Sequence, residues 1–227
     1  LSQLGPRLSA IARHVLAGSP VADLCCDHAA LAIALVTSKR VPRAIAGDLN
    51  LAPLRAAAAT IEQLGLGDRV ELRQGSGLQV VTPGEVGTAV IAGIGAPLAE
   101  RLLTEAEAAG ALAGLSRLII QPNHGYPKLG SLRAQIDALG WAIVDESLTR
   151  DRGRLYVILV AEPGPPTLHD EVDRELGPIL RRADDPLFGE WVEHERARLT
   201  RACHGMQRGR GDPSQLGSYQ RMLTILD

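Results

Sequence analysis

Polar side chains in this chain gather at the ends of short apolar runs. The first run ends in Asp23-Leu24-Cys25-Cys26-Asp27-His28 and the second in Gly47-Asp48-Leu49-Asn50. Gly75-Ser76-Gly77-Leu78 follows the third, Ala92-Gly93-Ile94-Gly95-Ala96-Pro97 closes the fourth, and Gln121-Pro122-Asn123-His124 closes the fifth. Carboxylates, thiols, imidazole and amide in such places can bind a metal, relay protons or hold a polar ligand. Cys25 and Cys26 invite the metal or redox reading, but their spacing opposes it. Neighbouring side chains of an extended strand point to opposite faces. Zinc sites usually separate paired cysteines by two to four residues, and a disulfide between adjacent cysteines is strained. Cys203, on a helical apolar stripe, reads as core. A reducing cytoplasm is the expected setting.

Asp48 has two readings. An acid at the end of a second strand can accept both ribose hydroxyls of an adenosine cofactor. An aspartate ahead of "LAPLRAAAA" can equally cap a helix. The first loop lacks the G-x-G-x-x-G that lets a pyrophosphate approach backbone N–H groups. Cys25, Cys26 and Asp27 would crowd a dinucleotide, and the Asp27 carboxylate would repel it. S-adenosylmethionine (SAM) carries an ammonium, a carboxylate and a sulfonium but no phosphate, so an acidic loop suits it better than NAD.

The elements that must position these residues follow from periodicity. Leu4, Leu8, Ile11, Ala12 and Val15 recur at helical spacing before the first strand. Strand patterns over 21–25, 44–48, 69–75, 88–95 and 117–123 then alternate with helical patterns over 29–37, 52–65, 96–109 and 128–139. Residues 141–162 read as an antiparallel hairpin turning at "DRG". Alternation of this kind predicts an α/β, Rossmann-like, doubly wound, mostly parallel sheet. Apolar runs without polar alternation fit strands buried on both faces. In such a sheet ligands bind beyond the carboxyl ends of the strands, where the polar runs lie.

"EPGPPT" (162–167) is a proline-rich break, which divides the chain into residues 1–162 and a helical, coiled-coil-like appendage over 163–227. Leu168, Val172, Leu176 and Ile179 predict one helix there. Phe188, Trp191, Val192, Leu199, Cys203 and Met206 predict a second, and Leu216, Tyr219 and Leu223 a third. Charge is uneven in this part. Residues 163–195 hold nine acids against three arginines, and 196–221 hold six arginines against one aspartate. Arg196, Arg198, Arg201, Arg208 and Arg210 either contact a polyanion or pair with the acidic helix. With aromatics at 3%, structured RNA read by shape and charge fits better than single strands. A hydrophobic content of 45% and a net charge of −2 mark a globular chain. No apolar run is long enough for a membrane helix, and the N-terminus reads as an amphipathic helix rather than a signal peptide.

These motifs, in this order, resemble the TrmK tRNA adenine-N1 methyltransferases, which modify adenine 22. "LGPRLSAIARHV" is similar to the family's first helix, and "DLCCDHAAL" to its D-I-G-S-D-H-A. "IAGDLN", "GSGL" and "IAGIGAP" resemble its A-G-E/D, G-x-G-L and A-G-M-G-G segments, and "QPN" matches unchanged. The "GPIL…DPLF" region is similar to the start of its helical C-terminal domain. The resemblance implies SAM as cofactor and tRNA as partner. It implies that Asp23, Cys25 and Asp27 border the methionine end, Asp48 and Leu49 the ribose, Ser76 and Gly77 the adenine, and Gly93 and Gly95 the reaction floor. Asp27, His28 and Asn123 would face the target base. For His28 a helix-start residue bonded to backbone is an equal reading. Cys25 stands where the family has glycine, and Ala96-Pro97 replaces the last glycine of A-G-M-G-G. A member that binds RNA without catalysis, or a methyltransferase with another RNA or small-molecule substrate, is the alternative those departures leave.

Overall fold

The computed structural model describes residues 4–123 and 129–226. Helix α1 (Pro6–His14) precedes strand β1 (Val21–Leu24), and then helices and strands alternate. They are α2 (Ala30–Thr37), β2 (Ala44–Asp48), α3 (Leu51–Gln63), β3 (Val70–Gln74), β4 (Thr88–Ile94), α4 (Ala96–Ala108), β5 (Arg117–Pro122) and α5 (Leu129–Ala138). The hairpin β6 (Trp141–Asp151) and β7 (Arg154–Pro163) completes one seven-stranded sheet. Strand order is β3-β2-β1-β4-β5-β7-β6, parallel except where β7 runs antiparallel to β5 and β6. The order reverses between β1 and β4, where Leu24 lies in register with Gly47 on one side and Ile91 on the other. Every strand end named from the sequence therefore opens toward one edge of the sheet.

The apolar runs are explained by burial on both faces. Ala22, Leu24, Ile45, Ile91, Leu118 and Ile120 join one core cluster. Their alternates Val21, Ala44, Ala46, Val90 and Ile119 join the other, under α1, α2 and α3. Each fully buried Leu or Ile contributes about 1.5–3 kcal/mol. At the hairpin tip Arg152 (φ 48°) and Gly153 (φ 74°) are both left-handed, as a two-residue turn between twisted strands requires. Pro97 falls in the first turn of α4, where a missing N–H breaks no intrahelical bond.

The C-terminal part differs from the expectation in one respect. The stripe from Leu168 to Ile179 is not one helix. Helix α6 spans only Glu171–Leu176, stopped by Gly177 at φ 99°, and a single 3₁₀ turn follows at Leu180–Arg182. Gly177-Pro178 interrupts the backbone where periodicity alone runs through. Helices α7 (Phe188–Gln207) and α8 (Leu216–Leu226) match the other two stripes and pack together.

A buried ion network fastens this part to the sheet. Arg133 of α5 donates from Nε to Glu146 of β6 at 2.9 Å, and both side chains are fully buried. Its Nη1 donates to the carbonyls of Arg174 and Glu175. Glu146 also accepts from the backbone N–H groups of Ile179 and Leu180. Trp191 of α7 completes the joint by packing into the same core cluster as Leu155 and Leu180.

Candidate functional site

The loop after β1 is strained. Cys25 (φ 59°), Asp27 (φ 50°) and Ala29 (φ 54°) all adopt the left-handed conformation without being glycine. Each costs about 1–2 kcal/mol. Hydrogen bonds hold the path: Cys26 N–H to the Gly47 carbonyl at 3.1 Å, Ala29 N–H to the Cys26 carbonyl at 2.8 Å, and Asp27 N–H to Asp48 Oδ2 at 3.3 Å. The first and second strand ends are thereby tied together.

Beneath this loop Asp23 is buried and accepts one hydrogen bond, from Ala32 N–H at 3.2 Å. Burial pushes its carboxyl up to about 7, opposed by that bond and by the charge of Arg7. Arg7 comes from α1, bonds to Gln121 of β5, and lies 5.7 Å from the Tyr156 ring centre. A cavity of about 220 Å³ brings Arg7 together with Asp23, Cys25, Asp27, His28 and Gly93. Gly93 has φ 77°, and a Cβ there would come within 3.6 Å of Arg7 Nη1. Burial, then Asp48 and Asp23, raises the Cys25 thiol to about 11; Cys26 is raised further by the same causes. Both cysteines are free. Among the described residues no group of three or more His, Cys, Asp or Glu is arranged to hold a metal ion.

Asp48, Leu49, Ser76, Gly77, Gly95 and Asn123 do not line this cavity. Asp48 accepts from Asn50 N–H through Oδ1 at 2.9 Å while its Oδ2 meets Asp27, so it closes the turn ahead of α3 and joins two loops at once. Asn50, not Asp48, is the N-cap. Leu49 is exposed beside it. Ser76 precedes a 3₁₀ turn, and Gly77 is buried where a Cβ would come within 2.9 Å of Leu102 of α4. Gly95 caps α4. Asp27 and His28 are exposed and 3.6 Å apart. Asn123 donates from Nδ2 to the Gly93 carbonyl at 2.6 Å, which links the fifth strand end to the fourth. His124, and Lys128 at the start of the expected fifth helix, lie outside the described residues. The sequence reading missed Arg7, whose signal is a cation beside an apolar helix stripe, and named Gln121 at its strand end without giving it a role.

Residues 4–159 match the model of a methyltransferase domain. The chain is 31% identical over 198 residues to the tRNA (adenine(22)-N(1))-methyltransferase of Bacillus subtilis (strain 168), covering 84% of this chain and 81% of that protein. The chain belongs to this methyltransferase family. Among solved structures, a putative tRNA (m1A22) methyltransferase of Streptococcus pneumoniae superposes with a TM-score of 0.83 at 32% identity, over 99% of this chain and 96% of that one. Its complex with SAM superposes at 0.81 and 32% identity, over 96% and 98%. The B. subtilis m1A22 tRNA methyltransferase TrmK gives 0.87 at 26% identity, over 99% and 97%. The methyltransferase model ends four residues short of the end of β7, whereas these structural matches extend across the C-terminal helices as well.

Asp23 supplies a test of whether SAM fits. A buried carboxylate with one backbone donor and no paired cation is costly. An ammonium placed beside it would repay that cost, and Arg7 across the same cavity suits a carboxylate. The residues present fit an amino-acid end. In the described residues no helix is long and apolar enough to cross a membrane.

Proposed function

We propose that this chain methylates N1 of an adenine in tRNA, at position 22, using SAM. The observation that carries the reading is that buried Asp23 and Arg7 line one cavity at the β1–β4 switch point. SAM supplies an electrophilic methyl group on sulfur. Adenine N1 has a lone pair of its own, so no side chain has to remove a proton from it.

The protein's work is therefore to hold, orient and exclude water. Asp23 would take the ammonium and Arg7 the carboxylate, with Cys25 and Gly93 shaping the space between. Asp48, beside exposed Leu49, would meet the ribose, and Ser76 and Gly77 would border the adenine of the cofactor. Gly95, at the start of α4, would close the floor. Asp27 or Asn123 can accept from the exocyclic amine of the target base, which orients the ring and favours the positive charge that develops on it. His28 sits next to Asp27 at the mouth. We assign residues 1–162 to methyl transfer and 163–227 to RNA contact.

Two of the five C-terminal arginines are spoken for. Arg198 is bonded to Glu175 and Glu195, and Arg196 pairs with Glu193. Arg201, Arg208 and Arg210 are exposed and make no ion pair among the described residues, which leaves them for phosphate. A cytoplasmic site of action fits a tRNA substrate and the free thiols. The test is incubation with SAM and unmodified tRNA, followed by mapping of N1-methyladenosine. Methylation at adenine 22 is expected; SAM binding without any tRNA methylation would refute the substrate, and no SAM binding at millimolar ligand would refute the enzyme.

A further inference from the structure

Asn123, tied to Gly93 of the cofactor cavity, also lines a second cavity of about 90 Å³. Its walls come from both halves of the molecule. Strand β7 supplies Tyr156, and α7 supplies Trp191, His194, Arg198 and Arg201. The two cavities adjoin at a further point, because Arg7 of the first lies over the ring of Tyr156 in the second.

The wall chemistry narrows the ligand. Trp191 is buried and its indole N–H is bonded to the Leu176 carbonyl, so it forms a fixed aromatic surface. Arg198 donates from Nε to Glu195 at 2.7 Å and from Nη2 to Glu175 at 3.0 Å. Among the described residues its Nη1 is buried with no hydrogen-bond partner. A buried donor left unmade is costly, and a ligand with an acceptor atom would relieve it. Arg201 adds an exposed cation. Aromatic surface, a waiting donor and a cation together match a base with its phosphate.

We propose that this cavity binds one nucleotide of the RNA substrate, with the base against Trp191 and Tyr156, an acceptor atom on Arg198 Nη1 and the phosphate at Arg201. The inference rests on the tRNA reading above and deepens it. The C-terminal helices then supply part of the substrate pocket itself, beyond a charged surface for the RNA backbone. The nucleotide is either the target adenosine or its neighbour in the strand, since both present the same chemistry.

Photolabelling of the full chain tests this. With S-adenosylhomocysteine saturating the cofactor cavity, 8-azido-AMP should cross-link to peptides carrying Tyr156 or residues 191–201, and excess AMP should abolish the label. Absence of AMP-competed label in those peptides overturns the proposal, and if the same preparation methylates tRNA, the methyltransferase reading survives that failure. A second arm fills the rim. His194→Trp should lower kcat/KM for tRNA at least tenfold with SAM affinity unchanged, whereas His204→Trp, on the same helix outside the cavity, should not. A fall carried by kcat assigns the target adenosine, and a rise in KM assigns its neighbour. Unchanged kcat/KM in His194→Trp overturns the proposal.

Discussion

Asp23 and Glu146 are both buried acids, one on β1 and one on β6, and their surroundings are opposite. Glu146 meets the Arg133 guanidinium at 2.9 Å and two backbone N–H groups, while Asp23 meets one backbone N–H and pairs with no cation among the described residues. The chain matches charge with charge where it fastens the C-terminal helices to the sheet. It leaves charge unmatched where the cofactor cavity opens. A buried acid with its own cation is attachment, and one without is a place for a cation brought by a ligand.

Breaking the matched pair should have the largest effect. Arg133→Met leaves Glu146 buried and uncompensated and should cost about 3–5 kcal/mol of stability. Thermal unfolding checks this, and a melting temperature within a degree of the parent would show that the network fastens nothing. Asp23→Asn acts at the other end of the comparison. It should weaken SAM by about 2 kcal/mol, roughly thirtyfold by calorimetry.

The same residue sets a pH dependence. Its carboxyl is raised from 3.8 to about 7 in the fold, so the folded state holds that proton more tightly than the unfolded chain. Its contribution to stability is therefore lost as pH climbs from about 4 to 7 and is flat above. The ammonium needs the charged form, so SAM affinity should rise with pH, by up to about tenfold per unit below 7. Binding at pH 6 should release a proton, measurable in buffers of different ionisation enthalpy; Asp23→Asn should abolish the release, and an unaltered release would place it elsewhere. The smallest effect is expected at Cys25, whose φ of 59° suits glycine. Cys25→Gly should stabilise the fold by about 0.5–1 kcal/mol after allowing for the freer unfolded chain. A loss of that size in a denaturant titration would mean that packing of the thiol outweighs the backbone strain.

The sheet was legible because its determinants are local. Runs such as "TAVIAGIG" declare strands buried on both faces, and "DRG" declares the hairpin turn. The strand-end loops were legible for the same reason, since parallel topology sends all of them to one edge. What escaped depends on distant parts of the chain. Arg7 reaches the site by bonding to Gln121, 114 positions away, and nothing near Arg7 in sequence announces that partner. The break at Gly177 escaped because apolar spacing continues across it while the backbone does not. The arginines after residue 195 divided between pairing and exposure according to helix packing, which composition does not encode.

The grip of Arg7 on Gln121 and its stacking over Tyr156 also bear on how the protein comes into being. During synthesis the first helix emerges long before its partners do. Until the stretch through Tyr156 has left the ribosome, the guanidinium lacks at least one of its two partners. A nascent chain therefore carries every residue of the β1 loop yet lacks a finished cleft. Competence to take up cofactor arrives late and all at once, when the ends of the domain close on each other.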